Sequence, residues 1–142
     1  MKHLLFLSFL LCPFLAFSQV SNIVGSWKTI DDETGEAKSI VRIYKDTNGK
    51  YYGKVEKLIQ NPNAKCDKCK DENKGKPVLG MVIITDMKEK GNKLDGGHIL
   101  DPGNGEKYNA TISYEKDGRL KVRGSLDKFG VLGRNQYWKK AD

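Results

Sequence analysis

Two cysteines separated by two residues, Cys66 and Cys69, are the sequence feature with the clearest capacity for chemistry. A thioredoxin-type redox pair places its first cysteine at a helix N-terminus within a βαβ unit, and no such context surrounds Cys66. A closed zinc site needs four ligands, whereas beyond residue 18 the chain adds one histidine, His98, and carboxylates such as Asp67 or Asp71. The remaining use of this spacing is a local disulfide that staples a loop.

His98 is a candidate general base, because imidazole titrates near neutral pH. The chain has no serine or cysteine nucleophile in a recognisable elbow and no evident triad partner for this histidine. We therefore interpret His98 as a structural residue. The sequence predicts no catalytic residue, no metal site and no cofactor, and it argues against an enzyme.

Residues 1–18 indicate the cellular compartment of the protein. A lysine at the start, an apolar run over residues 4–17 and small residues at Ala16 and Ser18 are typical of a secretory signal peptide cleaved after Ser18. The apolar run is too short for an ordinary membrane span. We therefore expect a periplasmic or secreted protein, and the oxidising location favours a disulfide between Cys66 and Cys69 over the metal and redox alternatives.

The charge and length of the remaining chain restrict its partners and its domain count. Removal of Lys2 leaves 24 basic residues against 18 acidic ones, a net charge of +6. The lysines are spread over nearly every segment and alternate with apolar residues, which indicates a solvated outer face rather than a polyanion site. We expect no nucleic-acid partner and no membrane span. Residues 19–142 are enough for one domain with one core.

Alternating apolar and polar residues predict about eight strands joined mostly by short turns. Asn48-Gly49 and Asp117-Gly118 are strong hairpin signals. In the third strand, Tyr51, Gly53, Val55 and Ile59 share the predicted inward face. The strand at residues 79–87 is apolar on both faces, so both faces are expected to be covered. The predicted strands comprise residues 25–30, 39–45, 51–59, 79–87, 93–100, 108–114, 120–126 and 134–140.

Consecutive hairpins of this kind build an antiparallel meander, and a meander protects its edges best by closing. The sequence therefore predicts an all-β fold, a single up-and-down barrel whose interior is filled by side chains or holds one small ligand. A two-layer sandwich needs longer crossover connections than the chain provides. Residues 60–77 interrupt the pattern with prolines, cysteines and many charges, and we interpret them as a long covering loop.

Three motifs resemble the DUF2147 family of small exported bacterial proteins. They are LDGGHILDP at residues 94–102 with GEKY at 105–108, LKVRG at 120–124, and LGRNQYW at 132–138. The resemblance covers nearly the whole chain beyond the signal peptide. It implies a lipocalin-like, or calycin-like, barrel and leaves the activity unassigned.

Gly25-Ser26-Trp27 also resembles the G-x-W of the first strand of lipocalins. In those proteins the tryptophan closes one end of the barrel and packs against a basic residue from the last strand. The resemblance makes Arg134 the first candidate for that partner and Arg123 the second, since a guanidinium over an indole gains cation–π energy.

These observations favour an exported barrel that binds a small apolar or amphipathic molecule without transforming it. The alternative is a structural or interaction module of the cell envelope with a solid core, which would contact an envelope protein through the Cys66 loop and its basic faces. The residues predicted to line the pocket or close the barrel are Trp27, Tyr108, Arg123, Arg134 and Trp138.

Overall fold

The computed structural model describes residues 19–142, so the predicted signal peptide and its cleavage site after Ser18 lie outside the described residues. The described chain contains one short helix followed by eight strands. The elements are α1 (Val20–Ile23), β1 (Gly25–Ile30), β2 (Ala37–Lys45), β3 (Tyr51–Leu58), β4 (Val82–Lys90), β5 (Lys93–Leu100), β6 (Lys107–Tyr114), β7 (Leu120–Ser125) and β8 (Gly133–Lys140).

The eight strands form a closed antiparallel barrel. Each strand pairs with the next in sequence, and β8 returns to β1, where Trp27 pairs with Lys140 and Lys28 with Lys139. Closure removes the exposed sheet edges that an open meander would leave. The predicted all-β up-and-down barrel is therefore confirmed, and the sandwich alternative is wrong.

The two ends of the barrel are built differently. At the closed end, tight hairpin turns join β2 to β3, β4 to β5 and β6 to β7, and α1 precedes β1. At the open end lie the four remaining connections, at residues 31–36, 59–81, 101–106 and 126–132. Val20 and Ile23 of α1 are buried, so the helix plugs the closed end. The predicted strands begin at residue 25 and do not include this helix.

Inward-facing apolar side chains pack the barrel from the closed end to its middle. They alternate along each strand with outward-facing polar residues, as a half-buried strand requires. The buried members of this layer include Trp27, Val41, Ile43, Ile84, Met87, Leu94, Ala110, Ile112 and Leu120.

Strand β4 is irregular where it pairs with β3. Gly53 pairs with Ile84 and Lys54 with Val82, which leaves Ile83 as an extra residue in β4. An extra residue interrupts the alternation of faces, so the burial of both Ile83 and Ile84 does not test the predicted cover on both faces, which stays a prediction. The strand begins at Val82 rather than at residue 79, and the Val55 amide of β3 donates to the Met81 carbonyl just before it at 2.9 Å.

One predicted face is wrong. Ile59 is exposed, whereas Leu58 packs against the core. The cause is an irregularity in the β2–β3 ladder: Ile40 pairs with Lys57 and Val41 with Val55, which leaves Glu56 as an extra residue in β3. An extra residue reverses the inward and outward alternation beyond it.

Candidate functional site

A cavity of about 1270 Å³ enters the barrel from the open end. The packed layer described above forms no part of its lining, so the cavity ends near the middle of the barrel. Residues from all eight strands contribute to its wall, and the four open-end loops make its rim. The wall includes Val55, Leu58, Ile99, Tyr108, Val122 and Trp138.

Part of this space is free because the inward face of β7 carries a glycine, Gly124, which has no side chain. Val122 and Gly124 both line the cavity, and Gly124 pairs with Arg134 in β8. A Cβ built on Gly124 lies 3.4 Å from the Tyr108 Cβ and 3.7 Å from the Ile99 Cγ2, which are ordinary van der Waals distances or close to them. A larger side chain at residue 124 would therefore enter the cavity.

Polar groups occur among the apolar wall residues and at the rim. The Trp138 Nε1 donates to the Gln136 Oε1 at 3.3 Å, and both residues line the cavity. The Tyr108 hydroxyl accepts a hydrogen bond from the Asn104 amide at 2.9 Å. At the rim, Arg134 forms an ion pair with Asp32 at 3.2 Å. The site thus combines an apolar interior with polar and charged groups at its entrance.

The β3–β4 loop carries a disulfide between Cys66 and Cys69, as the sequence predicted. Both cysteines are buried, and the Cys66 sulfur lies 3.6 Å from the Pro102 carbonyl in the neighbouring β5–β6 loop. A Cβ on Gly105 would overlap the Lys68 carbonyl, so the two loops touch backbone to backbone. The disulfide therefore belongs to the rim of the cavity.

Two ion pairs also join the β3–β4 loop to the region around β6. Lys70 contacts Glu106 at 2.6 Å, and Lys107 contacts Asp71 at 2.8 Å. The hydrogen bond between Lys107 and Asp71 lowers the pKa of the Asp71 carboxyl and raises the pKa of the Lys107 amine. These contacts hold the long loop against one side of the open end.

Trp27 lies at the closed end and is fully buried. Its Nε1 donates to the Ile23 carbonyl of α1 at 2.8 Å, and its ring meets Tyr114 edge to face with centroids 6.3 Å apart. The basic group over the indole is Lys140, 5.4 Å from the ring centroid. The predicted partners Arg134 and Arg123 are therefore wrong for this contact, because the β1–β8 register sets Lys140 opposite Trp27.

The structure brings three of the five predicted site residues into one cavity: Tyr108, Arg134 and Trp138 line it. Trp27 does not line the cavity and belongs to the packed layer at the closed end. Arg123 points outward from β7, and its guanidinium donates to the Gly130 carbonyl and to the Asn135 Oδ1, the latter at 3.0 Å. Arg123 therefore supports the loop between β7 and β8 instead of lining the cavity.

Sequence reasoning missed part of the rim. Val131 and Leu132 of the β7–β8 loop line the cavity, yet both are largely exposed. Leu126, the last residue of the predicted seventh strand, also lines it. The sequence signal was a run of apolar residues, FGVLG at 129–133, between two strands where a polar turn is usual.

His98 lies outside the barrel, exposed beside Thr85 in a smaller surface groove of about 450 Å³. Within residues 19–142, no cluster of three or more histidine, cysteine or acidic side chains is arranged to hold a metal ion. The helix found in that range is far shorter and less apolar than a membrane-crossing helix would have to be.

Comparison with known proteins agrees with the fold. A family model described as "Uncharacterized protein conserved in bacteria (DUF2147)" matches residues 25–140. Among solved structures, protein HP1028 from Helicobacter pylori, described as belonging to the lipocalin family, is similar with a TM-score of 0.73 and 21% sequence identity, over 84% of this chain and 82% of that one. Comparison with curated proteins gave no match. The structural similarity confirms the lipocalin-like fold.

Proposed function

This chain belongs to the DUF2147 family, and from that premise we propose that it is an exported barrel that binds a small apolar or amphipathic molecule without transforming it. The proposal includes the signal peptide at residues 1–18 and delivery to the periplasm or beyond the cell. The family model covers β1 to β8, so the whole barrel is the unit to which the proposal applies.

The single observation that carries the proposal is the cavity at the open end. Its volume of about 1270 Å³, which includes the mouth, exceeds the roughly 300–1,000 Å³ typical of sites for small molecules. A barrel whose only role is structural gains stability by filling its interior, since each unfilled space loses packing contacts. The cavity therefore argues against the alternative of an envelope module with a solid core.

The chemistry of the wall indicates the class of ligand. Val55, Ile99 and Val122 offer apolar contact, and the rings of Tyr108 and Trp138 add large aromatic surfaces. Burial of apolar ligand surface against such walls is favourable by about 25 cal/mol per Å² before the costs of binding are subtracted. The charged groups stand at the rim, so a polar end of the ligand can remain there in contact with water.

The same wall supports a binding role rather than catalysis. Its polar groups are an amide, a phenol and hydroxyls, and the hydroxyls of Thr29 and Ser39 lie 2.7 Å apart in a hydrogen bond with each other. No histidine or cysteine lines this cavity. Carboxylates occur at the rim, but Asp31 bonds to the backbone of its own turn and Asp32 pairs with Arg134, whereas the Thr29 and Ser39 hydroxyls bond to each other. These groups do not form the pair of general base and nucleophile that covalent catalysis requires.

The experiment uses anilinonaphthalene sulfonate, an amphipathic fluorescent probe, and a variant that fills the cavity. Gly124→Phe places an aromatic ring between Tyr108 and Ile99, where a Cβ meets no severe overlap. The matched control is Lys121→Phe, which adds the same ring to the same strand on the outward face. We expect saturable binding by the native protein and by the control, and an affinity lower by about tenfold or more for Gly124→Phe.

The outcomes separate the proposal from its alternative. Equal probe affinity in all three proteins places the probe outside the cavity and contradicts the proposal. The free energy of unfolding is measured in parallel, and we expect Gly124→Phe to lose at most about 3 kcal/mol, because part of the added volume enters free space. Loss of binding with that stability retained supports the cavity as the site.

A further inference from the structure

The loop between β7 and β8, residues 126–132, exposes more apolar surface than any other described segment. The four most exposed large hydrophobic side chains among residues 19–142 all lie in it: Phe129 is 92% exposed, Val131 76%, Leu126 72% and Leu132 66%. Contiguous exposed apolar groups of this kind mark surfaces that contact another molecule. The loop between β7 and β8 thus presents apolar side chains to solvent at the open end of the barrel.

This loop, which we call the apolar tip, has a defined shape. The Asp127 carboxylate accepts backbone N–H groups from Leu132 at 2.8 Å and Val131 at 3.0 Å. The Ser125 hydroxyl donates to the Asp127 carbonyl at 2.9 Å, and Arg123 donates to the Gly130 carbonyl. Because these bonds satisfy the polar groups of the turn internally, the apolar side chains are held outward rather than collapsed into the cavity.

Three basic residues flank the apolar tip. Lys128 is exposed next to Phe129, Arg123 donates to the Gly130 carbonyl, and Arg134 follows the loop at the start of β8, where it is paired with Asp32. The acidic residue of the tip, Asp127, has its carboxylate bonded to the turn. The other basic residues of this hairpin, Lys121, Lys139 and Lys140, lie towards the closed end.

We propose that the apolar tip docks the open end of the barrel onto an anionic lipid surface. Apolar side chains on an exposed loop can enter the headgroup region to a depth of about 5–10 Å while Lys128 contacts the lipid phosphates. Leu126, Val131 and Leu132 belong both to the tip and to the cavity rim, so a docked barrel presents its cavity to the bilayer. This inference goes beyond ligand binding and does not depend on it.

Charge distribution around the mouth sets the orientation. The β1–β2 turn next to β8 carries Asp31, Asp32 and Glu33, and Arg134 is paired with Asp32. The barrel therefore tilts so that the apolar tip enters the anionic lipid surface and the acidic β1–β2 turn is directed away from it.

The test is flotation of the full-length mature protein, without added ligand, with vesicles of phosphatidylglycerol and phosphatidylcholine, and with vesicles of phosphatidylcholine alone. The variant is Phe129→Ser with Val131→Ser, whose side chains make no buried contact. The control is Ile59→Ser with Leu79→Ser, two exposed apolar residues of the β3–β4 loop. We expect binding to anionic vesicles that weakens with added salt, and a loss of about tenfold or more in affinity for the tip variant only.

Three results would overturn the proposal. They are absence of native binding to anionic vesicles, equal binding by the tip variant, and equal loss in the control. Sedimentation of the native protein and the tip variant adds a fourth: a concentration-dependent dimer that the tip variant abolishes assigns the tip to a second copy of the chain. Probe binding by the tip variant is measured separately, so failure of lipid docking and failure of the cavity proposal remain distinct.

Discussion

Two turns at the open end have the same backbone hydrogen bond but different neighbouring atoms. This difference yields a quantitative prediction. In the β1–β2 turn the Gly35 amide donates to the Asp31 carbonyl at 2.7 Å, and in the β5–β6 turn the Gly105 amide donates to the Asp101 carbonyl at 2.8 Å. The glycines have φ of +74° and +75°. A Cβ on Gly35 would meet nothing within 4 Å, whereas a Cβ on Gly105 would overlap the backbone of the disulfide loop.

The substitutions Gly35→Ala and Gly105→Ala therefore separate conformational strain from packing. Both place alanine in a left-handed conformation, which costs about 1–2 kcal/mol. Gly105→Ala must also displace a backbone held by the disulfide and by the ion pair of Lys70, and such overpacking adds about 1–3 kcal/mol. We expect losses in the free energy of unfolding of about 1–2 kcal/mol for Gly35→Ala and about 2–5 kcal/mol for Gly105→Ala.

Urea denaturation followed by far-ultraviolet circular dichroism measures both values, provided that the slopes agree with that of the native protein. The difference between the two variants isolates the contact between the β5–β6 turn and the disulfide loop. Losses that agree within about 0.5 kcal/mol would refute the backbone contact at the rim, because strain alone would then account for both.

Three further predictions concern ionisation and the disulfide. The backbone N–H of Leu132, followed by that of Val131, lowers the pKa of the Asp127 carboxyl, so its stabilisation is present above the unfolded pKa of about 3.9 and is lost as pH falls through the lower folded value. Amide exchange at Leu132 and Val131 should accelerate as pH falls through that range. Asp127→Asn should show the faster exchange throughout, with no such transition. A rate ratio between the two proteins that is independent of pH contradicts this. Burial, with a hydrogen bond to a carboxylate, raises the pKa of Tyr51 to about 12, so stabilisation present below about pH 10 is lost as pH rises towards 12. An absorbance titration should contain a transition near pH 12 that Tyr51→Phe removes, and its persistence in the variant would refute the assignment. Denatured protein purified without reductant should contain no free thiol, because Cys66 and Cys69 are paired, and a titre of two thiols would show otherwise.

The fold was predictable because residue types that favour turns, such as glycine, proline, asparagine and aspartate, mark the ends of its strands. Strand β5 was predicted at its observed bounds, residues 93–100, since Gly91-Asn92 begins it and Asp101-Pro102 ends it. The irregularity at Glu56 was not predictable, because no glycine or proline marks it. It depends on how β2 and β3 pair, and that pairing moved Leu58 rather than Ile59 onto the core.

The site was predictable only in part, for a related reason. Residues 134, 136, 138 and 140 of β8 share the inward direction, so sequence alone indicates that several could meet an inward tryptophan. Which of them does so depends on the register between β1 and β8, and that register selects Lys140 over Arg134. Arg123 was predicted to line the pocket or close the barrel, but it faces outward, and its bond to the Gly130 carbonyl depends on the folded path of the β7–β8 loop.

One of the two tryptophans lines the cavity and the other does not, and this allows the most direct measurement of the central claim. Trp138 lines the cavity, whereas Trp27 is sealed at the closed end beneath α1. Protein labelled with fluorotryptophan has one fluorine NMR signal for each, and Trp138→Phe assigns them. On titration with anilinonaphthalene sulfonate, a ligand held in the cavity shifts the Trp138 signal saturably and leaves the Trp27 signal in place. A Trp138 signal that does not move while the probe binds would contradict the account.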